Sequence, residues 1–177
     1  MTPDDVLAFW FADPARWWKK DPELDRAIRD RFGELHAAIE RDEHQDWQDT
    51  PRGALATVIV LDQFSRNMFR GTARMFASDA RAQAAARAAL ARGDHDLLAP
   101  AERGFLVMPL MHSEDLADQD ESVRRFAAAG DAGSLRYAEQ HRDIVRRFGR
   151  FPHRNDVLGR ASTPEEVEFL RQPGSSF

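Results

Sequence analysis

Ala54-Leu-Ala-Thr-Val-Ile-Val-Leu61 is apolar around its whole circumference when wound as a helix. A helix without a polar face belongs inside a protein, touched on every side. Thr50-Pro51 stands ahead of it as a start signal, with a side-chain acceptor at the cap and a preset φ at the first helical position. Gly71 stands behind it as a stop signal. The β-branched residues at 57–60 therefore sit in a helical frame, and one central helix is expected from Pro51 to Arg70.

The same punctuation recurs on both sides. Thr2-Pro3 opens a helix carrying Val6, Leu7, Trp10 and Phe11, and Asp13-Pro14 ends it. Asp21-Pro22 starts the next, which runs to about Glu40 with Leu24, Ile28, Phe32, Leu35 and Ile39 on one stripe. Ser78-Asp79 opens an Ala/Arg-rich helix closed by Gly93. Further helices are expected at about Ala101–His112, Gln119–Ala129 and Ser134–Phe148, with a kink at Pro109 because proline lacks an N–H. Thr163-Pro-Glu-Glu166 carries a capping-box pattern for the last helix. No segment reads as a strand, and no clean 34-residue repeat is visible. The expectation is an all-α fold of about eight helices in antiparallel pairs. It forms a single domain over 1–177, with 171–177 as a loose tail.

Composition narrows the classes. The 177 residues are 42% hydrophobic and 31% charged, ordinary for one folded domain. No apolar run approaches the roughly 18 residues of a membrane span. The acidic start Met1-Thr-Pro-Asp-Asp5 lacks the basic, then apolar, pattern of an export leader, so a cytoplasmic location and no membrane partner are expected. There is no cysteine, hence no disulfide or thiolate metal site. A net charge of −5 disfavours nucleic acid. The aromatic stretch Trp10, Phe11, Trp17 and Trp18 reads as core packing. No Gly-rich phosphate loop, dinucleotide fingerprint or helical His pair is present, so no cofactor and no metal is expected.

Three polar groups interrupt the apolar pattern. Asp62, Arg66, Asn67 and Arg70 (with Gln63) end the central helix, and Asp62 and Arg66 are spaced to pair at i, i+4. His112 and Glu114, with Ser113, follow the run Phe105–Met111. They read either as helix-end caps or as a base with its orienting acid. His141 lies on an apolar stripe with Tyr137, Ile144 and Phe148. The loop after Gly149 then presents Arg150, His153, Arg154, Asn155 and Arg160. Seven arginines between Arg136 and Arg160 face only Glu139, Asp143 and Asp156 in that span, so this region can serve either as an anion-binding patch or as a solvated face.

Longer segments match a known family. Leu61-Asp-Gln-Phe-Ser-Arg-Asn-Met-Phe-Arg-Gly71, Met108-Pro-Leu-Met-His-Ser-Glu-Asp-Leu116 and Phe148-Gly-Arg-Phe-Pro-His-Arg-Asn-Asp-Val-Leu-Gly-Arg160 stand in the family's order. Val6-Leu-Ala-Phe-Trp-Phe11 precedes them and Ser162-Thr-Pro-Glu-Glu-Val-Glu-Phe-Leu170 follows. Together they resemble the bacterial family catalogued as domain of unknown function 924. The resemblance implies a tetratricopeptide-like helical fold and no particular activity. It also exposes one departure: the family usually has Pro where this chain has Ser65, whose N–H can restore one backbone bond.

Three functions follow from these readings. The polar groups around 66, 112 and 154 could meet in a cleft that binds a small anionic ligand or an acidic peptide of a protein partner. They could instead form a small hydrolase with His112 or His141 as base and Glu114 or Asp62 orienting it. Or they could be internal glue with no ligand.

Overall fold

The computed structural model describes residues Met1–Phe177 and contains nine helices and no strand. They are α1 (Pro3–Phe11), α2 (Pro22–Glu40), α3, α4 (Asp79–Arg92), α5 (Asp94–Leu97), α6 (Pro100–Met111), α7 (Leu116–Ala129), α8 (Ala132–Phe148) and α9 (Pro164–Leu170). Helix α3 runs as Pro51–Val58, a π turn at Ile59–Phe64, and Ser65–Met68. The single-turn α5 is the helix that periodicity could not show. No helix is long and apolar enough to cross a membrane.

The termini of these helices follow from short-range chemistry. Thr2 and Asp5 form a capping box on α1, and Thr163 and Glu166 form another on α9. Asp21, Asp115 and Asp131 cap α2, α7 and α8 through side-chain oxygens. The cap of α7 falls on Asp115 and not on Ser113 or Glu114. Ser113 accepts from the Asp115 N–H at 3.1 Å, and Glu114 is drawn elsewhere. Gly93, Gly130 and Gly149 close α4, α7 and α8 with positive φ, which costs glycine nothing.

Packing divides the chain into two compact units. Met1–Arg70 with Arg74–Pro109 form an N-terminal unit, and Gly71–Ala73 with Leu110–Phe177 form a C-terminal unit. The division in the second half of the chain falls inside α6, at the proline that interrupts its hydrogen-bond ladder.

In the N-terminal unit α3 is the centre. It packs against α1, α2 and α4, and every residue from Gly53 to Ser65 is buried. The α2 stripe anticipated from spacing faces it, and the Phe32 and Phe64 rings meet at 4.8 Å between centroids. Buried Ala82, Ala85, Ala86 and Ala89 are the small residues through which α4 packs. Trp10 joins this core, but Trp18 does not: it is 70% exposed and lies flat on Phe105. The stretch 10–18 is thus core at one end and surface at the other.

In the C-terminal unit α7 and α8 pack along each other, and α9 packs on the turn Pro152–Arg154. Ile144, Val145 and Phe151 form the core, flanked by Phe148 and Phe169. The final residues are docked where a loose tail was expected. Ser175 is buried and donates to the Leu170 carbonyl at 3.2 Å, and the Phe177 ring stacks on His141 at 3.7 Å.

Gly53 shows how tightly α3 is seated. A Cβ at this position would stand 1.9 Å from the Trp47 carbonyl oxygen, a backbone atom that cannot swing aside. Gly53→Ala is expected to destabilise the protein by about 3 kcal/mol, against the few tenths of an ordinary surface change, as read from the urea midpoint.

Candidate functional site

The first polar group forms its own network in the N-terminal unit. Arg66 lies between two carboxylates, bonding Asp62 at 2.9 Å and Asp79 through both terminal nitrogens at 2.9 and 3.1 Å. It also donates to the Asp62 carbonyl at 2.8 Å. Burial alone would disfavour its charge, yet Asp62 and Asp79 hold its pKa above the ordinary arginine value. Asn67 and Arg70 both reach Asp25 of α2, at 2.7 and 2.9 Å. The i, i+4 pair is therefore present. Its wider partners, Asp25 and Asp79, come from other helices, and no sequence spacing marks them. With Asp62 and Asp79 around one guanidinium, the group is acidic and does not offer a seat for an anion.

A second buried network in this unit was not singled out from sequence. His36 Nε2 lies 2.6 Å from Ser65 Oγ, His36 Nδ1 lies 3.4 Å from Glu40, and Ser78 Oγ lies 2.9 Å from Ser65 Oγ. The order Ser, His, Glu imitates a hydrolytic triad, but Ser65 Oγ also donates to the Leu61 carbonyl at 2.8 Å, which ties the hydroxyl back to its own helix. Ser65 is also fully buried, with no path for a substrate. The Ser65 side chain itself bonds the carbonyl four residues back, an interaction proline could not make.

In the C-terminal unit the second and third groups merge. Glu114 accepts the Phe151 N–H at 2.8 Å and both terminal nitrogens of Arg160 at 2.7 and 2.9 Å. Burial works to raise its pKa, and Arg160 with the Phe151 N–H pulls it below the usual carboxylate value instead. Arg160 also donates to Asn155 at 2.9 Å and to the Phe151 carbonyl at 3.0 Å. Arg150 grips Glu166 at 2.7 and 2.8 Å and holds that carboxyl down to about 2. Asn155 donates to the same Glu166 at 3.3 Å. Two carboxylates thus organise the loop that sequence marked only by its donors.

The remaining side chains gather around Phe151. Arg154 lies 4.5 Å over the Phe151 ring and donates to the His112 carbonyl at 2.9 Å. The His112 and His141 rings are 6.2 Å apart, and His141 and His153 stand 5.5 and 5.6 Å from Phe151. His141 Nδ1 is 2.7 Å from the Tyr137 carbonyl, which makes it the protonated nitrogen of the neutral ring. Burial, reinforced by His112, lowers the His141 pKa to about 3. Burial and Arg154 lower that of His153 to about 4. His153 Nδ1 is buried with no hydrogen-bond partner. No three His, Asp or Glu side chains converge in a metal-ligating arrangement. Two surface hollows, of about 420 and about 330 Å³, open in the N-terminal unit, and neither is lined by a residue of the three polar groups.

These features define an all-α protein built from capped helices and internal ion-pair networks. The chain belongs to the family described as Bacterial protein of unknown function (DUF924), whose model matches residues 6–174. It is similar to a solved protein of unknown function from Agrobacterium tumefaciens, with a TM-score of 0.91 and 41% identity over 95% of this chain and 96% of that one. No curated protein matches it.

Two outcomes test the networks. Ser65→Ala leaves His36 Nε2 and Ser78 without their shared oxygen, and the expected loss is about 1–3 kcal/mol in urea unfolding. The pH response has a definite sign. His141 and His153 titrate near 6.5 when unfolded but only near 3 and 4 when folded, so the unfolded chain binds more protons in between. Stability should be flat above pH 6.5 and fall between 6.5 and 5 by about 2 kcal/mol per histidine. His141→Gln should flatten that slope.

Proposed function

We propose that the C-terminal unit binds a small anionic ligand, either a free carboxylate or phosphate compound or an acidic peptide end, at His112, His141, His153 and Arg154. The single observation behind this reading is His153 Nδ1. A buried ring nitrogen left unbonded costs about 1–3 kcal/mol, and sites of that kind persist where a ligand completes them. Charge favours an anion as the missing partner. Between Arg136 and Arg160 the chain carries seven arginines against Glu139, Asp143 and Asp156, and three of the seven, Arg150, Arg154 and Arg160, belong to this loop.

The hydrolase reading fares less well. A general base works best with a pKa near the working pH, and one of about 3 makes His141 too weak. The ion pairs of the N-terminal unit fit the structural reading, as locks between α3 and its neighbours. Placement in the cytoplasm and a tetratricopeptide-like stacking of the helical pairs belong to the same proposal. The absence of cysteine supports the first, and the pairing of α7 with α8 supports the second by fold analogy only.

An anion at His153 would favour the protonated ring, so binding takes up a proton and tightens as the pH falls. Phosphate, sulfate and acetate are the probes for a thermal-shift series at pH 5.5 and 7.5. At a hundredfold excess over Kd, a true ligand stabilises by about 2.7 kcal/mol, which raises Tm by several degrees. The expected rise is larger at pH 5.5 and is lost in Arg154→Gln and His153→Phe. No rise with any of the three anions at either pH would refute the proposal.

A further inference from the structure

Six glycines in this chain take positive φ, and helix ends use them wherever the backbone must turn left-handed. Only two other residues do so, Asp42 at φ 63° and His44 at φ 61°, and both line the hollow of about 330 Å³ in the N-terminal unit. Asp42 occupies the turn that closes α2. Its N–H bonds the Ile39 carbonyl and the Glu43 N–H bonds the Ala38 carbonyl, each at 3.0 Å, a pattern that ordinarily selects glycine. The π turn of α3 contributes Leu61 to the same wall. Left-handed non-glycine residues and π turns both concentrate at functional sites. Here all three irregularities border one concavity, whose volume lies within the range of small-molecule pockets.

The chemistry of the lining selects a ligand class. Ala84, Ala85 and Ala88 of α4, with Leu61, form an apolar side. Opposite charges face each other across the mouth, where Arg81 pairs with Asp42. Both partners are about half exposed, and an exposed pair of this kind is worth little, so opening it costs little. Glu43 adds a second carboxylate to the lining, where it also accepts from Arg41 at 2.8 Å. One guanidinium against two carboxylates suits a guest that carries both signs.

We infer that this hollow binds a small zwitterion of the free amino acid class. Its carboxylate bonds Arg81, its ammonium bonds Asp42 and Glu43, and its apolar side chain lies on the alanine face. The guest then exchanges one exposed ion pair for two. It also explains why the turn after α2 carries aspartate where glycine would be easier.

Calorimetric titration of the full chain with L-valine and L-leucine, beside isobutylamine and isovalerate, tests the inference. The amino acids should bind at least tenfold more tightly than the compounds carrying only one of the charges. Asp42→Gly should keep or raise the thermal midpoint, because glycine suits the φ, and yet weaken amino acid binding at least tenfold. Arg81→Met should weaken it likewise. Absence of amino acid binding by the unaltered chain would overturn the inference, as would equal binding by Asp42→Gly. A midpoint that drops in Asp42→Gly, with binding retained, would mark the aspartate as structural and overturn it too.

Discussion

Helix α3 is buried on every side, and the chemistry of the N-terminal unit follows from that burial. A polar side chain on such a helix cannot be left to water. Its partner must arrive on a neighbouring helix, with the right charge and at the right height. Asp79 on α4 meets Arg66, and Asp25 on α2 meets Asn67 and Arg70. His36, also on α2, meets Ser65. Each pairing ties the central helix to one neighbour in one register. Removing Asp79 or Ser65 leaves Arg66 or His36 stranded in a dry environment, which is far more costly than losing a surface contact such as that of the exposed Arg70.

The C-terminal unit uses the same logic around acids instead of a helix. Glu166 is the third residue of α9 and closes that helix's capping box, while it also takes both ends of Arg150 and the amide of Asn155. Glu114 performs the matching task for Phe151 and Arg160. A carboxylate with several fixed donors is held firmly ionised, and the loop between Gly149 and Arg160 takes its shape from these two points. His141 and His153 beside them are treated in the opposite way, with burial lowering their pKa and favouring the neutral ring. The contrast between firmly charged acids and uncharged rings separates scaffold from candidate site in this unit.

What the sequence made legible was whatever depends on neighbours along the chain. Thr2-Pro3, Asp21-Pro22, Thr50-Pro51 and Thr163-Pro164 mark helix starts by local hydrogen bonding, and glycines mark the ends. The Asp62–Arg66 pair was readable because four residues make one turn. Asp25, Asp79 and Glu40 were not readable as partners, since long-range pairing leaves no spacing to count. The docked Phe177 escaped notice for the same reason: Gly-Ser-Ser composition suggests mobility, and only a ring awaiting it 36 positions earlier in the chain says otherwise. The left-handed Asp42 was hidden because aspartate carries no signal that glycine would have supplied.

The π turn at Ile59–Phe64 makes α3 unevenly sensitive to length. Such a turn accommodates one residue more than a regular coil would. Deleting one amino acid inside it would let the helix relax to ordinary winding with the segments on either side still in phase. Deleting one from the regular stretch Pro51–Val58 instead would swing what lies beyond by about 100° around the axis, turning Arg66 and Asn67 away from Asp79 and Asp25. The same loss of one residue is thus absorbed at the wide turn and rewires the ion pairs a turn or two before it.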